Sequence, residues 1–387
     1  MSEPTMPGDA AIPDPAPLPT PQAPIPPGTS GAGPTVAGSR PDPTRAVDLD
    51  GGGSAEDRPI LIGVDIGGTK IAVLVVDREG RVRAREVAPT AAGSQDTAAD
   101  AVGEVVEQAL ATAGERMDRV AAIGVGVPGR VDPATGTVTL AVNLGWSNLE
   151  LGRRLEQRLG RPCVLENDVR AAALGLHRRR VVGDIDDLAY VAVGTGVSAG
   201  VILGGQLHRG VRGLAGEIGH VIAVSSGPAC SCGERGCLET LVSGPAIARD
   251  ARAAVATGAP TRLAAIEVPT AVDVYREATD GDHVALAITE AVGRRLAWAV
   301  HLLVMTYDVE RVVLGGGVSH AGATFLSPIH RELDRLRRTS ALAREQLPAG
   351  IVELLPAGTE AGAWGAVTLA RRAIADGAEG ATTTVRP

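Results

Sequence analysis

From Pro59 onward, apolar and polar positions fall into blocks with a regular period, which the first 57 residues lack. The run ILIGVDIGGTKIAVLVVD holds two apolar, strand-like stretches joined by a Gly-Gly turn, and VRAREVAP continues as a third, the pattern of a β-meander. An amphipathic helix is predicted from about Asp96 to Ala113, then VAAIGVGVPG as a buried strand ending in a Gly/Pro loop. LELGRRLEQRL, PCVLEND and VRAAALGLHRRR read as helix, strand and helix. A second meander opens near Leu188 with YVAVGTGVSAGVILGGQLHRG, and its strand, Gly-Thr-containing turn and strand repeat the design of the first. Helices dominate from Ser243 to Met305, RVVLGGGVS is a strand with a glycine turn, and EAGAWGAVTLARRAI is the last helix. Such alternation implies an α/β architecture with mixed sheets, in which two lobes face each other and each brings a glycine turn to the cleft.

The chain of 387 residues is long enough for two lobes, each with its own core. Residues 1–57 contain 13 of the 26 prolines and almost no periodic apolar content, so a disordered tail is expected there, and residues 376–387 read the same way. The first lobe then spans 58–180 and the second 181–375, with the last helix, near 360–375, free to return to the first lobe. No apolar run reaches membrane-spanning length, and no basic start followed by an apolar stretch suggests secretion. A cytoplasmic protein with reduced thiols is the expectation, with no membrane partner. Net charge is −8 and no basic stripe forms; the run Arg178 to Arg180 reads as a solvated helix end, so no nucleic-acid partner is expected. Self-association as a homo-oligomer, dimer or tetramer, is expected.

Cys230, Cys232 and Cys237 in CSCGERGCLE, with His220 upstream in GEIGH, supply four ligands of the kind tetrahedral zinc takes. Four protein ligands leave no open position, so the metal would close a loop, and would thereby fix Glu217 and Glu239 in space. DIGGTK is either a plain tight turn or a phosphate site, in which Gly67 and Gly68 let backbone amides approach oxygens and Thr69 and Lys70 add a hydroxyl and a charge. Asp65 would hold Mg2+ through water. Lys70 is the only lysine in the chain. Gly194, Thr195 and Gly196 form a second such turn, and Gly315, Gly316 and Gly317 a third, where an adenine or ribose would lie if the glycines do not serve packing alone. Asn167 and Asp168 stand at a strand end and helix start; they cap the helix, or Asp168, ionised at a helix N-terminus, also accepts a proton from a substrate hydroxyl.

DIGGTK, GVGVPG, NLGW, ENDVRAAALG, VGTGVSAG, GLAGEIGH, CSCGERGCLE and VVLGGGVS follow one another in an order that resembles the ROK (repressor, open reading frame, kinase) family from about Ile60 to Ala375. The resemblance implies an actin-like, ribonuclease-H-like fold of two lobes with sugar and ATP in the cleft. It implies Asp168 as general base on the sugar's primary hydroxyl, with Asn143, Asn167, Glu217, His220 and Glu239 on other hydroxyls and His220, Cys230, Cys232 and Cys237 on Zn2+. A glucokinase-like activity is the leading implication, with an N-acetylglucosamine or N-acetylmannosamine kinase as alternative. The family's sugar-responsive repressors form another class; they carry a winged helix before the first glycine turn, where this chain has its proline-rich segment. Arg170, Leu176 and Ser198 depart from the family's usual asparagine, glutamate and glycine, which bears on the choice of sugar and, for Ser198, on nucleotide affinity.

Overall fold

The computed structural model describes residues 59–90 and 95–382. The expected tail over 1–57 and the last residues, 383–387, lie outside the described residues. The first meander forms β1 (Ile60–Ile66), β2 (Lys70–Val76) and β3 (Val82–Pro89), followed by α1 (Ala98–Ala113) and β4 (Val120–Val127). Three short strands come next, β5 (Arg130–Asp132), β6 (Thr137–Ala141) and β7 (Trp146–Leu149), then α2 (Leu151–Leu159), β8 (Cys163–Asn167) and α3 (Asp168–Arg178). The second half begins with β9 (Leu188–Val193), β10 (Val197–Leu203) and β11 (Gln206–His208). It continues through α4 (Glu239–Val242), α5 (Gly244–Ala256), α6 (Ala271–Thr279), α7 (His283–Tyr307), β12 (Arg311–Gly315), α8 (Ala323–Thr339), α9 (Ala341–Gln346), β13 (Val352–Leu354) and α10 (Ala361–Thr382).

The two large sheets have one topology used twice. Strand order is β3-β2-β1-β4-β8 in the first and β11-β10-β9-β12-β13 in the second. In each, the first three strands pair antiparallel and the last two add in parallel beside the first strand. This is the duplicated, actin-like arrangement of α/β lobes. Helices cover both faces of β1, which explains why its sequence is almost continuously apolar. Ile60, Ile62, Val64 and Ile66 pack with α1 and α2, whereas Leu61 belongs to the cluster formed with Ala363 and Val367 of α10.

The lobes trade their final helices. α10 lies on β1 and β4 of the first sheet, and α3 packs against β9 and β10 of the second. Gly63 and Gly124 are register partners in β1 and β4, and a Cβ on either would run into the backbone of α10, at Ala363 and Ala366. Gly200 of β10 does the same for α3, where a Cβ would stand 2.7 Å from the Val169 carbonyl. The two helices then cross each other backbone to backbone, Gly175 against Ala361 and Gly365 against Ala171.

Several details differ from the sequence reading. The sheet β5-β6-β7 has no counterpart in the sequence reading, because its strands are too short to show a period. α8, α9 and β13 were not picked out. The terminal helix runs to Thr382, so residues 376–382, expected in a disordered tail, continue α10. The run ADGAEGAT holds no proline to stop it and only glycines to weaken it. Arg179 does not point freely into solvent; its guanidinium stacks 3.9 Å from the Trp364 ring centre, while Arg180 pairs with Asp184.

Candidate active site

β1 delivers Asp65 near its C-terminal end, and the turn that follows is a hairpin closed by the Gly67 N–H donating to the Lys70 carbonyl at 2.8 Å. Thr90 ties this turn down from beyond β3, its hydroxyl donating to the Gly67 carbonyl at 2.7 Å and its N–H to the Thr69 carbonyl at 3.0 Å. Gly68, Thr69 and Lys70 are exposed, and a Cβ on Gly68 would meet no protein atom within 4 Å. Packing therefore does not require a glycine at 68, whereas a phosphate approaching the amides would.

β8 ends at Asn167 and α3 starts at Asp168. The Asn167 carbonyl oxygen on its side chain accepts the Arg170 N–H at 3.1 Å, which is the N-cap expected, and its amide donates to the Gly129 carbonyl at 3.0 Å and to Asp168 Oδ1 at 2.9 Å. Oδ1 also accepts the Val169 N–H at 2.9 Å, while Oδ2 takes no hydrogen bond from another residue among the described residues. One carboxylate oxygen is thus pinned and the other left for a ligand. Gly126 of β4 separates this group from Asp65: a Cβ there would stand 3.6 Å from Asp65 Oδ1 and 3.5 Å from the Asp168 Cα.

Both carboxyls keep some solvent contact but sit deep among protein atoms. Burial pushes Asp168 up to about 6, with the Val169 and Asn167 donors and the Arg170 charge pulling the other way. Asp65 is pushed to about 7, by burial first and then by the negative charge of Asp168, with Lys70 opposing. The two groups stand at the same end of the first sheet, on either side of β4, and the Asp168 charge is one cause of the Asp65 shift.

In the second lobe, Gly194 and Gly196 close the turn between β9 and β10, with the Gly194 N–H donating to the Gly196 carbonyl at 2.9 Å. The Gly315 to Gly317 cluster follows β12, parallel to β9. These glycines differ in what they are for. A Cβ on Gly315 would stand 2.5 Å from the Tyr190 hydroxyl, and Gly316, at φ +85°, would clash with Val193, so both serve the fold. Gly317 has nothing within 4 Å, and Gly194 only the Gly317 nitrogen at 3.9 Å. They border a cavity of about 640 Å³ whose other walls include Pro245, Val272, Tyr275, Val318 and His320. Size and mainly apolar lining suit a nucleoside. Tyr275 and Val272 of α6 were missed at the sequence level, since on an amphipathic helix they look like any core positions.

The loop from Glu217 to Glu239 brings the sulfur ligands together. His220 Nδ1 lies 3.6 Å from Cys230 Sγ, Cys232 Sγ lies 3.6 Å from Cys237 Sγ, and one donor atom from each of the four falls within 4.8 Å of the others. Tetrahedral zinc with Zn–S bonds of about 2.3 Å needs donors about 3.8 Å apart, so the set fits the ion. With Nδ1 turned to the sulfurs, Nε2 of His220 remains on the other edge of the ring. Glu239 opens α4 two residues after Cys237, and its Oε2 accepts the Val197 N–H at 3.0 Å, next to Gly196. That contact joins the cysteine loop to the second glycine turn. Glu217 stands before the short helical turn Ile218–His220 and is half-buried. Asn143 lies on an exposed turn, Val142–Leu144, between β6 and β7, and no hydrogen bond links it to the other candidates.

Two departures from the family pattern take definite places. Arg170 is buried, with Nε 2.8 Å from the fully buried Glu166 carboxylate. Ser198 on β10 is half-buried, its hydroxyl 3.5 Å from the Gly216 carbonyl.

Residues 61–373 match the ROK family. A glucokinase of Streptomyces coelicolor is 34% identical over 324 residues, covering 81% of this chain and 98% of that protein. An N-acetylmannosamine kinase of Escherichia coli O1:K1 is 35% identical over 262 residues, 67% of this chain and 84% of its own length. The crystal structure of a ROK family glucokinase from Streptomyces griseus in complex with glucose and AMPPNP superposes with a TM-score of 0.68 at 35% identity, over 81% of this chain and 99% of that one. With the doubled sheet, the glycine turns and the His/Cys loop all in that family's order, this chain belongs to the ROK family.

Proposed function

We propose that this protein is an ATP-dependent hexose kinase that phosphorylates a primary hydroxyl of the sugar, with Asp168 as general base. The observation that carries the reading is a buried carboxylate pinned on Oδ1 alone, in a molecule that also has a nucleoside-sized cavity bordered by glycines no packing requires. A sugar hydroxyl donates to Oδ2 of Asp168, which aligns the oxygen with the γ-phosphoryl group and takes its proton as the new P–O bond forms and the bond from the γ-phosphorus to the β,γ-bridging oxygen breaks, with ADP as the leaving group. In a loose transition state alignment matters more than basicity, so a carboxylate of modest proton affinity suffices. Asn167 keeps Asp168 oriented, and Asn143, Glu217, Glu239 and Nε2 of His220 are assigned to the remaining sugar hydroxyls.

The phosphates lie against the turns at Gly67, Gly68, Thr69, Lys70 and at Gly194, Thr195, Gly196, and the nucleoside against Gly317. Asp65 would hold Mg2+ through water, and the ion would supply positive charge to offset that of the phosphates. ATP is favoured over polyphosphate because the 640 Å³ cavity offers apolar walls rather than a row of cations. Zn2+ is assigned to His220, Cys230, Cys232 and Cys237, where it closes the loop without an open coordination position. The protein is assigned to the cytoplasm as a homo-oligomer; among the described residues no helix is long and apolar enough to cross a membrane.

Glucose is the leading substrate, on the strength of the glucokinases that match most of the chain. The N-acetylmannosamine kinase relative supports N-acetylhexosamine as the second reading. Coupled ADP release measured with ATP across glucose, mannose, N-acetylglucosamine and N-acetylmannosamine decides between them. A single strong turnover with glucose is expected; turnover confined to an acetamido sugar selects the second reading, and none with any sugar rejects both.

A further inference from the structure

Segment 209–216 joins β11 to Glu217, and little of its own packing holds it in place. Gly210, Gly213 and Gly216 all have positive φ, Val211 and Arg212 are exposed, and no residue from 209 to 217 is fully buried. Its inner hydrogen bonds are few: the Gly213 N–H to the Gly210 carbonyl at 3.3 Å and the Ala215 N–H to the Arg209 carbonyl at 3.1 Å. A segment of this kind would be mobile unless tethered. Downstream it has an anchor in His220 and the cysteines. Upstream the tethers are charged and come from the other lobe.

Glu166, the fourth residue of β8, is completely buried. Its Oε1 lies 2.8 Å from Nε of Arg170, one turn along α3, and accepts the Asn167 N–H at 2.9 Å. Its Oε2 accepts from Nε of Arg209 at 2.5 Å. Arg170, itself 3% exposed, also donates through Nη1 to the Gly213 carbonyl. A five-residue stretch of the first lobe, Glu166 to Arg170, therefore grips the start and the middle of a glycine-rich segment of the second, whose far end, Gly216, accepts the Ala199 N–H of β10 at 2.8 Å. Asp168 sits in the middle of that stretch.

We propose that Arg170 and Arg209, bridged by Glu166, act as positioning residues that set the distance between Asp168 and the Glu217–His220 edge of the sugar site, and so tune sugar affinity separately from nucleotide affinity. The proposal rests on the hexose-kinase reading for its kinetic effect only. Arginine suits the task because its fork reaches a carboxylate and a carbonyl together, whereas a shorter amide at 170 would not span from α3 to Gly213. Neither arginine needs to touch sugar. Their effect passes through the register of the 209–216 segment.

Arg209→Met and Arg170→Met, made singly and together in the full chain, test this. Arg209 is 37% exposed on its side chain and Glu166 keeps Arg170 when it is removed, so its variant is the one expected to keep its fold with the smaller loss of stability. Each single variant is expected to raise the sugar KM by on the order of tenfold with the ATP KM within about twofold, and the double variant to cost less than the product, as for residues acting in one network. Amide hydrogen exchange across 210–219 should speed up in Arg209→Met, a readout that needs no turnover. If the parent phosphorylates no hexose, the functional reading fails and the exchange result alone decides the clamp. A parent that is active, with Arg209→Met leaving sugar KM and exchange unchanged, or raising both KM values alike, overturns the proposal. Should Arg170→Met fail to fold, Arg209→Met carries the decision.

Discussion

At the scale of single residues, the proposed site divides into groups assigned to accept protons and groups assigned to place phosphate. Asp168→Asn keeps the size and the hydrogen bond to Asn167 but removes the base, so kcat is expected to fall by about 10²–10⁴ with the sugar KM little changed. Turnover that survives the change would remove Asp168 from the role. The pH dependence follows from its environment. Asp168 is pushed up to about 6 and Asp65 to about 7, so the two ionised carboxylates that the proposed mechanism uses are present above that range and lost as pH falls through it. An acid limb near pH 6–7 is expected in kcat/KM for the parent; a limb near pH 4 would mean neither carboxyl is buried as described. For stability the sign is opposite: raised carboxyls favour the folded state less once ionised, so this pair costs stability above pH 7 and the cost is relieved on acidification. Lys70 offers a separate test, because no other lysine competes for an amine-directed reagent. Acetylation at that side chain should inactivate the enzyme and ATP should protect it; acetylation of Lys70 with full activity would take it out of phosphate binding.

Elements of secondary structure decide which of these residues meet, and here the sequence was unevenly legible. The three-strand start, α1, β4, β8 and α3 were readable because the strands carry apolar runs bounded by turn residues and the helices a period of about 3.6, and the Gly-Gly and Gly-Thr turns mark the breaks between strands. β5, β6 and β7 were not readable: with three to five residues each, they owe their form to pairing with one another and not to any local preference. The cysteine loop shows the same limit at the site. Spacing singled out His220 and the three cysteines that the structure brings together, but nothing in it revealed that Glu239 accepts the Val197 N–H beside the Gly194–Gly196 turn. This contact changes what zinc removal should do. On the proposed assignment of zinc, loss of the ion frees the loop that carries His220 and Glu239 together, so chelation is expected to raise the sugar KM strongly and the ATP KM measurably, through the glycine turn. An ATP KM that stays constant would mean that Glu239 holds the turn without the metal's help.

The molecule as a whole is two copies of one sheet locked by exchanged helices, and this arrangement explains why glycines of similar appearance have unlike roles. Gly124 faces the backbone of α10, and a methyl group there meets the Ala366 carbonyl, which no rotamer change can move aside. Gly68 faces open space at the first phosphate turn. The sequence presents both simply as glycines beside apolar strands; only the return of α10 onto β4, a contact between residues some 240 positions apart in the chain at Gly124 and Ala366, separates them. Gly124→Ala is therefore expected to destabilise the fold by about 3 kcal/mol, because overpacking against backbone has no cheap relaxation. Gly68→Ala is expected to leave stability within about 0.5 kcal/mol and to raise the ATP KM, since its methyl group occupies space meant for phosphate. Denaturant midpoints and ATP titrations on the two variants check the pair together. A large loss of stability in Gly68→Ala would show that the first turn is a structural hairpin, and an unchanged midpoint in Gly124→Ala would show that α10 does not bear on the first sheet as closely as described.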